Sequence, residues 1–263
     1  MTVPTGAPTG GRSRVAAVGR LALGCLGSTL ALLLVTVATV GRAHGRTGRV
    51  TVAVHLGSRI VLRSLGVRTV RRGAVRDGAA LVVANHISWI DVLVIAGTTP
   101  VVPVAKCEVA DWPLIGPVAR RTGTVFVRRR VGRDLVENVD RIAALLRRGH
   151  RVLLFPEGTT TPGGPPGTFR RAGFQAAVDA AAPVQPVGLE YLDGNGRPTA
   201  AAAFVGDERL LGSVWRVLRS GPVLVRVRWP APSPATVDGG HRARHRARAA
   251  GRAHGRISHA LAS

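Results

Sequence analysis

Between about Val67 and Pro230, short runs of β-branched and apolar residues alternate with stretches of helical character. No other feature of this 263-residue chain narrows its fold as far. The runs are Ala80 to Ala84, Val101 to Val104, Thr124 to Val127, Val152 to Phe155, Val184 to Tyr191 and Val223 to Trp229. Asp134 to Arg148 and Phe169 to Ala181 are the clearest helical stretches between them. Strands rich in valine with helices between them imply a largely buried sheet covered on its faces. The expected fold is α/β: a mostly buried mixed sheet flanked by helices, with functional loops at strand ends.

Before this region lies Leu21 to Val40, twenty residues without a charge, flanked by Arg12, Arg14 and Arg20 and by Arg42, Arg46 and Arg49. A helix of that length spans about 30 Å, the hydrocarbon thickness of a bilayer. A membrane anchor over 21–40, after a basic segment 1–20, is therefore expected. A signal peptide is the rival, but the apolar run is long for one and no clear Ala-x-Ala cleavage site follows. Segment 41–66 mixes Val50, Val52, Val54, Leu56, Ile60 and Leu65 with Arg49, Arg59 and Arg63. It reads equally as an amphipathic helix on the membrane surface or as an ordinary first helix of the domain. The domain itself is expected over 67–230. The Pro- and Arg-rich segment 231–263, with Arg242, Arg244, Arg246, Arg248, Arg252 and Arg256 among Ala, Gly and His, is expected to be a disordered or weakly helical tail that lies on anionic lipid or stays solvated.

The formal net charge is +23, from 37 basic and 14 acidic residues, and every basic residue except Lys106 is arginine. Such an excess is either solvated surface or an attraction to polyanions such as anionic membrane lipid. Aromatic residues make up only 4% of the chain, thin for the stacking platforms of single-stranded nucleic acid binders, so no specific nucleic acid partner is expected. The two cysteines, Cys25 and Cys107, offer neither a disulfide framework nor a zinc site.

The chemistry begins at Asn85-His86-Ile87-Ser88-Trp89-Ile90-Asp91, directly after the apolar run Leu81 to Ala84. On one continuous helix, residues five apart point well away from each other, so His86 must sit on the entry loop and Asp91 in the first helical turn if they are to meet. Ser88, three before Asp91, makes a capping-box-like start. Asp91 then either satisfies the helix end or accepts from one imidazole nitrogen, leaving the other free as a general base. Further along, Gly123-Thr124-Val125-Phe126-Val127-Arg128-Arg129 is a strand ending in paired arginines, and Phe155-Pro156-Glu157-Gly158-Thr159-Thr160 runs from a strand into a turn. Arg129 offers a planar fork suited to phosphate oxygens, and backbone N–H groups around Gly158 and Thr159 could form an anion-holding concavity. A plain turn and a solvated arginine are the alternatives.

In this order and spacing the segments resemble the glycerophospholipid acyltransferase family that includes the 1-acylglycerol-3-phosphate acyltransferases. Asn85-His86 to Asp91 matches the first block of that family, Gly123 to Arg129 the second, Phe155 to Thr159 the third and Val184-Gln185-Pro186-Val187 the fourth. Lys106-Cys107-Glu108-Val109 and Trp112 to Gly116 are also similar to family sequence.

The resemblance implies a direct transfer. His86, supported by Asp91, takes the proton of a lysophospholipid hydroxyl as that oxygen attacks an acyl thioester of coenzyme A or acyl carrier protein. It implies neither a cofactor nor a metal. Lys106, Arg129, Glu157, Gly158 and Thr159 would bind the acceptor's glycerol phosphate, with Glu157 orienting Arg129 or accepting from a hydroxyl. The expected location is the cell membrane, with the active site on the cytoplasmic side. Two departures bear on the acceptor. Thr160 and Thr161 stand where many members carry Arg or Ser, and Arg128 where an acid is common. Lyso-ornithine lipid or another lyso-lipid is therefore an alternative to 1-acylglycerol-3-phosphate, and a non-catalytic membrane lipid-binding protein is the alternative to an enzyme.

Overall fold

Strand β2 (Ala80–Ala84) is buried along its whole length. Its side chains divide between two cores: Val82 and Ala84 join one, Leu81 and Val83 the other. That division is the three-layer arrangement the valine-rich runs demand, with helices on both faces of a sheet. The computed structural model describes residues 18–19, 22, 26–27, 29, 46–112, 115–128, 133–235 and 242–263.

The chain runs α1 (Arg46–Ser64), β1 (Val67–Gly73), β2, α2 (Ile90–Ala96), β3 (Val102–Lys106), α3 (Ile115–Arg121) and β4 (Val125–Val127). It continues with α4 (Arg133–Arg147), β5 (Arg151–Leu154), α5 (Gln175–Asp179), β6 (Val184–Leu192), α6 (Leu210–Arg219), β7 (Val223–Trp229) and α7 (Arg242–Ala262). The seven strands form one sheet in the order β1-β7-β6-β2-β5-β3-β4. Neighbours are parallel except β6 and β7, so the sheet is mixed as expected. The carboxyl ends of β2 to β6 therefore share one edge, where ligands of open α/β sheets gather.

One core packs α1, α2 and α6 on the sheet through Leu62, Ile90, Val94, Ile95, Val217 and Leu218. The opposite core uses Ile142, Ala143 and Leu146 of α4, Ala176 to Val178 of α5 and the inner face of α7. Helix α1 is a domain helix in part. It buries Ala53 and Leu62, and its His55 Nδ1 lies 3.1 Å from the Ala96 carbonyl, while Val52 and Leu56 stay exposed.

The unpacked tail, disordered or weakly helical, expected over 231–263 is corrected over 242–262. Arg242–Ala262 is a helix of 21 residues that buries Ala249, Ala250, Ala253 and Ile257 against the sheet. The residues that pack lie at helical spacing between the arginines, and Ala and Arg are both strong helix formers. Leu261 and Ala260 of this helix pack over Gly188 of β6. Arginines on the flanks donate to carbonyls, Arg252 to Pro234 and Arg256 to Ala231 and Pro232. The domain thus extends past Pro230. The helix expected over 169–181 shrinks to a 3-10 turn at Ala172–Phe174 followed by α5.

The anchor expected over 21–40 lies outside the described residues except at positions 22, 26, 27 and 29. Among the described residues no helix is long and apolar enough to cross a membrane.

Candidate active site

His86 leaves the carboxyl end of β2, and α2 returns Asp91 beneath it. Their side chains meet, with His86 Nδ1 2.9 Å from Asp91 Oδ2. The loop that allows this is fastened from below by Asn85, which is buried and pairs with the backbone of β6. Its Nδ2 donates to the Leu189 carbonyl at 2.9 Å, and its Oδ1 accepts from Leu189 N–H at 2.8 Å.

The two readings of Asp91 turn out to be one arrangement. Asp91 Oδ2 also accepts from the N–H groups of Ile87 at 2.7 Å and Ser88 at 2.9 Å, while Ser88 Oγ accepts from Ile90 N–H at 3.3 Å. The carboxylate therefore closes the helix start and holds the imidazole with the same oxygen. Its other oxygen, Oδ1, accepts from Tyr191 Oη at 2.6 Å. Four donors surround a side chain with 0% exposure, the condition under which an ionised carboxylate survives burial. Tyr191 is itself buried. Desolvation, followed by the adjacent Asp91 charge, holds its phenol well above the ordinary tyrosine range, so it stays a protonated donor.

With Nδ1 on the carboxylate, the imidazole nitrogen left for chemistry is Nε2. The ring is 20% exposed, so it reaches the surface, and it stacks on Phe155 with centroids 4.0 Å apart and planes 16° apart.

The third block converges on the same loop from β5. Glu157 is buried, its Oε1 accepting from His86 N–H at 2.8 Å and its Oε2 from Gly167 N–H at 2.8 Å. Both oxygens of the carboxylate are thus turned onto backbone amides and strap the His86 backbone to the 162–168 loop, while Arg129, which Glu157 was expected to orient, lies outside the described residues. Gly158, at φ +71°, makes the turn, and its N–H bonds the Phe155 carbonyl at 3.1 Å. That amide is therefore not offered to an anion as expected. Thr159 is exposed at the mouth of the turn. Thr161 donates its N–H at 2.8 Å and its Oγ1 at 3.1 Å to the His86 carbonyl, and Thr160 Oγ1 donates to the Phe204 carbonyl.

Lys106 ends β3 at the same edge and is exposed. In the strand order it stands two strands from β2, about 10 Å of lateral spacing. Arg129 lies outside the described residues; Arg128, just before it, is exposed. The fourth block lies under the site rather than in it. Pro186 and Val187 register against Val83 and Ala84, and Gln185 is buried, accepting from Arg76 N–H at 3.2 Å and donating to the Pro230 carbonyl at 2.7 Å. Among the described residues no group of three or more His, Cys, Asp or Glu side chains could hold a metal ion.

Residue reading did not assign Tyr191. The only signal available was its place seven residues past Val184 on a run already read as a strand.

A family profile described as "Acyltransferase" matches residues 62–190. The chain is 41% identical over 153 residues to a lyso-ornithine lipid O-acyltransferase of Pseudomonas aeruginosa, covering 57% of this chain and 58% of that protein. It is 33% identical over 180 residues to a 1-acyl-sn-glycerol-3-phosphate acyltransferase of Neisseria gonorrhoeae, covering 68% and 69%. The match thus spans less than two thirds of the length of the Pseudomonas relative. The fold is similar to the crystal structure of the 1-acyl-sn-glycerophosphate (LPA) acyltransferase PlsC from Thermotoga maritima, at a TM-score of 0.65 and 20% identity over 92% of this chain and 95% of that one.

Proposed function

The chain belongs to the acyltransferase family, and from that premise we propose that it is a membrane-associated O-acyltransferase. In this reading it moves a fatty acyl group from acyl-CoA or acyl-acyl carrier protein to the free hydroxyl of a lyso-lipid. The observation that carries the reading is the 2.9 Å contact between His86 Nδ1 and a fully buried Asp91, which leaves Nε2 as the ring nitrogen free to act as a base.

An alcohol is scarcely ionised near neutrality, so a positioned base matters, contributing roughly 10²- to 10⁴-fold. Nε2 takes the hydroxyl proton as the acceptor oxygen attacks the thioester carbonyl carbon. The resulting oxyanion collapses, the carbon–sulfur bond breaks, and the departing thiolate receives the proton from the imidazolium. The products are an ester and a free thiol. Asp91 stabilises the imidazolium while it exists and keeps the ring in the tautomer that begins the cycle. Stacking on Phe155 limits rotation of the ring, so less freedom is lost on reaching the reactive geometry.

For the acceptor, 1-acylglycerol-3-phosphate is the first assignment, with Lys106, Thr159 and, by the resemblance, Arg129 as the groups proposed to meet its phosphate. Lyso-ornithine lipid is the second, and a specific observation favours it: both hydroxyls that replace the family's Arg or Ser after the third block are turned onto backbone carbonyls, Thr160 onto Phe204 and Thr161 onto His86. The 41% identical Pseudomonas relative carries that name. The membrane location, with the site on the cytoplasmic side, follows from the lipid acceptor and the thioester donor.

Incubating the purified chain with radiolabelled acyl-CoA and each lyso-lipid in turn tests the reading. Esterified product is expected with one of them and none from His86→Ala. Full turnover in a folded His86→Ala variant would end the assignment. Binding of lyso-lipid without turnover by any thioester would support the non-catalytic alternative.

A further inference from the structure

Helix α6 carries a row that its fold does not use. Its inner side is packed: Ser213, Val217 and Leu218 are buried, and Val214 lies against the same core. Its outer side presents Leu211, Trp215 and Arg219, four residues apart and therefore stacked along one stripe. Leu211 is 81% exposed and Trp215 42%, and the Arg219 guanidinium lies 6.0 Å from the centre of the Trp215 ring. Single exposed leucines are ordinary, but an apolar residue, a tryptophan and an arginine in one row are what an interface between hydrocarbon and anionic head groups selects.

The charge around the stripe fits the same partner. Arg209 is exposed at the start of α6. Of the two nearby acids, Glu208 is held by Arg216 at 2.8 Å, and Asp207 precedes the helix. On the same face of the sheet, α1 exposes Val52, Leu56, Arg59 and Arg63 and has no acidic residue in its 19 positions. The inner side of α6 touches the catalytic loop. Trp89 Nε1 donates to Ser213 Oγ at 3.2 Å, and Phe204 N–H donates to the Ile87 carbonyl at 2.9 Å, while Arg216 clasps the carbonyls of Ala201 and Ala203.

We propose that the Leu211–Trp215–Arg219 stripe of α6 is a docking surface for an anionic bilayer. Leu211 and Trp215 enter the head-group boundary, Arg219 and Arg209 pair with lipid phosphates, and the packed inner side fixes the height of the His86 loop above the membrane.

The test uses the full chain and vesicles of brominated phosphatidylglycerol, with brominated phosphatidylcholine as the neutral control. Trp215 is the reporter among four tryptophans. Quenching by the anionic vesicles is expected to exceed that of Trp215→Phe and to fall away in the neutral control. Leu211→Glu is expected to lower the vesicle concentration dependence of this Trp215 signal about ten-fold, the scale set by removing one leucine side chain from an apolar environment. Equal quenching of the wild type and Trp215→Phe overturns the proposal. So does a Trp215 signal that moves only on adding acyl carrier protein, which would make the stripe a protein contact. Because quenching needs no turnover, its outcome is independent of whether the transfer reaction is found.

Discussion

Tyr191 Oη stands 2.6 Å from Asp91 Oδ1, across 100 residues of sequence, so the carboxylate that holds His86 by one oxygen is itself held by the other. A buried carboxylate with one bare oxygen would be free to tilt. With both oxygens bonded, its orientation toward the imidazole is fixed by the sheet, because Tyr191 belongs to β6.

Tyr191→Phe removes one hydroxyl and keeps the ring in the core. A hydrogen bond to a charged group is worth about 1.5 to 3 kcal/mol, so kcat is expected to fall about ten-fold or more while the fold is retained. An unchanged kcat in the folded variant would show that the hydroxyl only fills space.

Tyr191 is the single tyrosine of the chain, so tyrosinate absorbance reads it alone. Its folded phenol keeps the proton above the ordinary value of about 10. This contribution to stability is therefore complete below about pH 10 and is lost as pH rises toward the folded value. Tyrosinate is expected to appear only as the protein unfolds in alkali. Ordinary titration of the intact fold near pH 10 would refute the buried bond.

His86→Ala and Asp91→Ala should differ in stability although both lose turnover. His86→Ala takes one of four donors from Asp91 together with the Phe155 stack, and is expected to lower the thermal midpoint modestly. Asp91→Ala strips acceptors from Ile87 N–H, Ser88 N–H and Tyr191. Since each unmet buried group costs about 1 to 3 kcal/mol, denaturant titration should show a clear loss.

Glu157→Ala tests the inward strap. Two half-buried amides, of His86 and Gly167, lose their acceptor. The expected outcome is a fall in kcat and in thermal midpoint with the Michaelis constant for the acceptor little changed. A selective rise in that constant would return Glu157 to the lipid.

Ala253→Glu probes α7. Ala253 is fully buried against the sheet, and a charge there is expected to cost more than about 2 kcal/mol. Guanidinium unfolding would show no loss if the helix were detached from the domain.

The sequence by itself determined what depends on neighbours along the chain. The bounds of β2 and β7 were legible because their apolar runs stop at Asn85 and Pro230, and the meeting of His86 with Asp91 was legible because only a strand–loop–helix passage brings positions five apart together. The arginine-rich end misled because charge was read before period: Ala249, Ala253 and Ile257 share a helical face that arginines between them conceal. Tertiary structure decided the rest. Which side of a strand meets which helix depends on the register of β6 against β2, and only that register brings Tyr191 to Asp91. Glu157 turns inward because two amides from distant loops converge on it. Backbone amides look alike in any sequence, so their demand for an acceptor becomes visible only once folding has buried them.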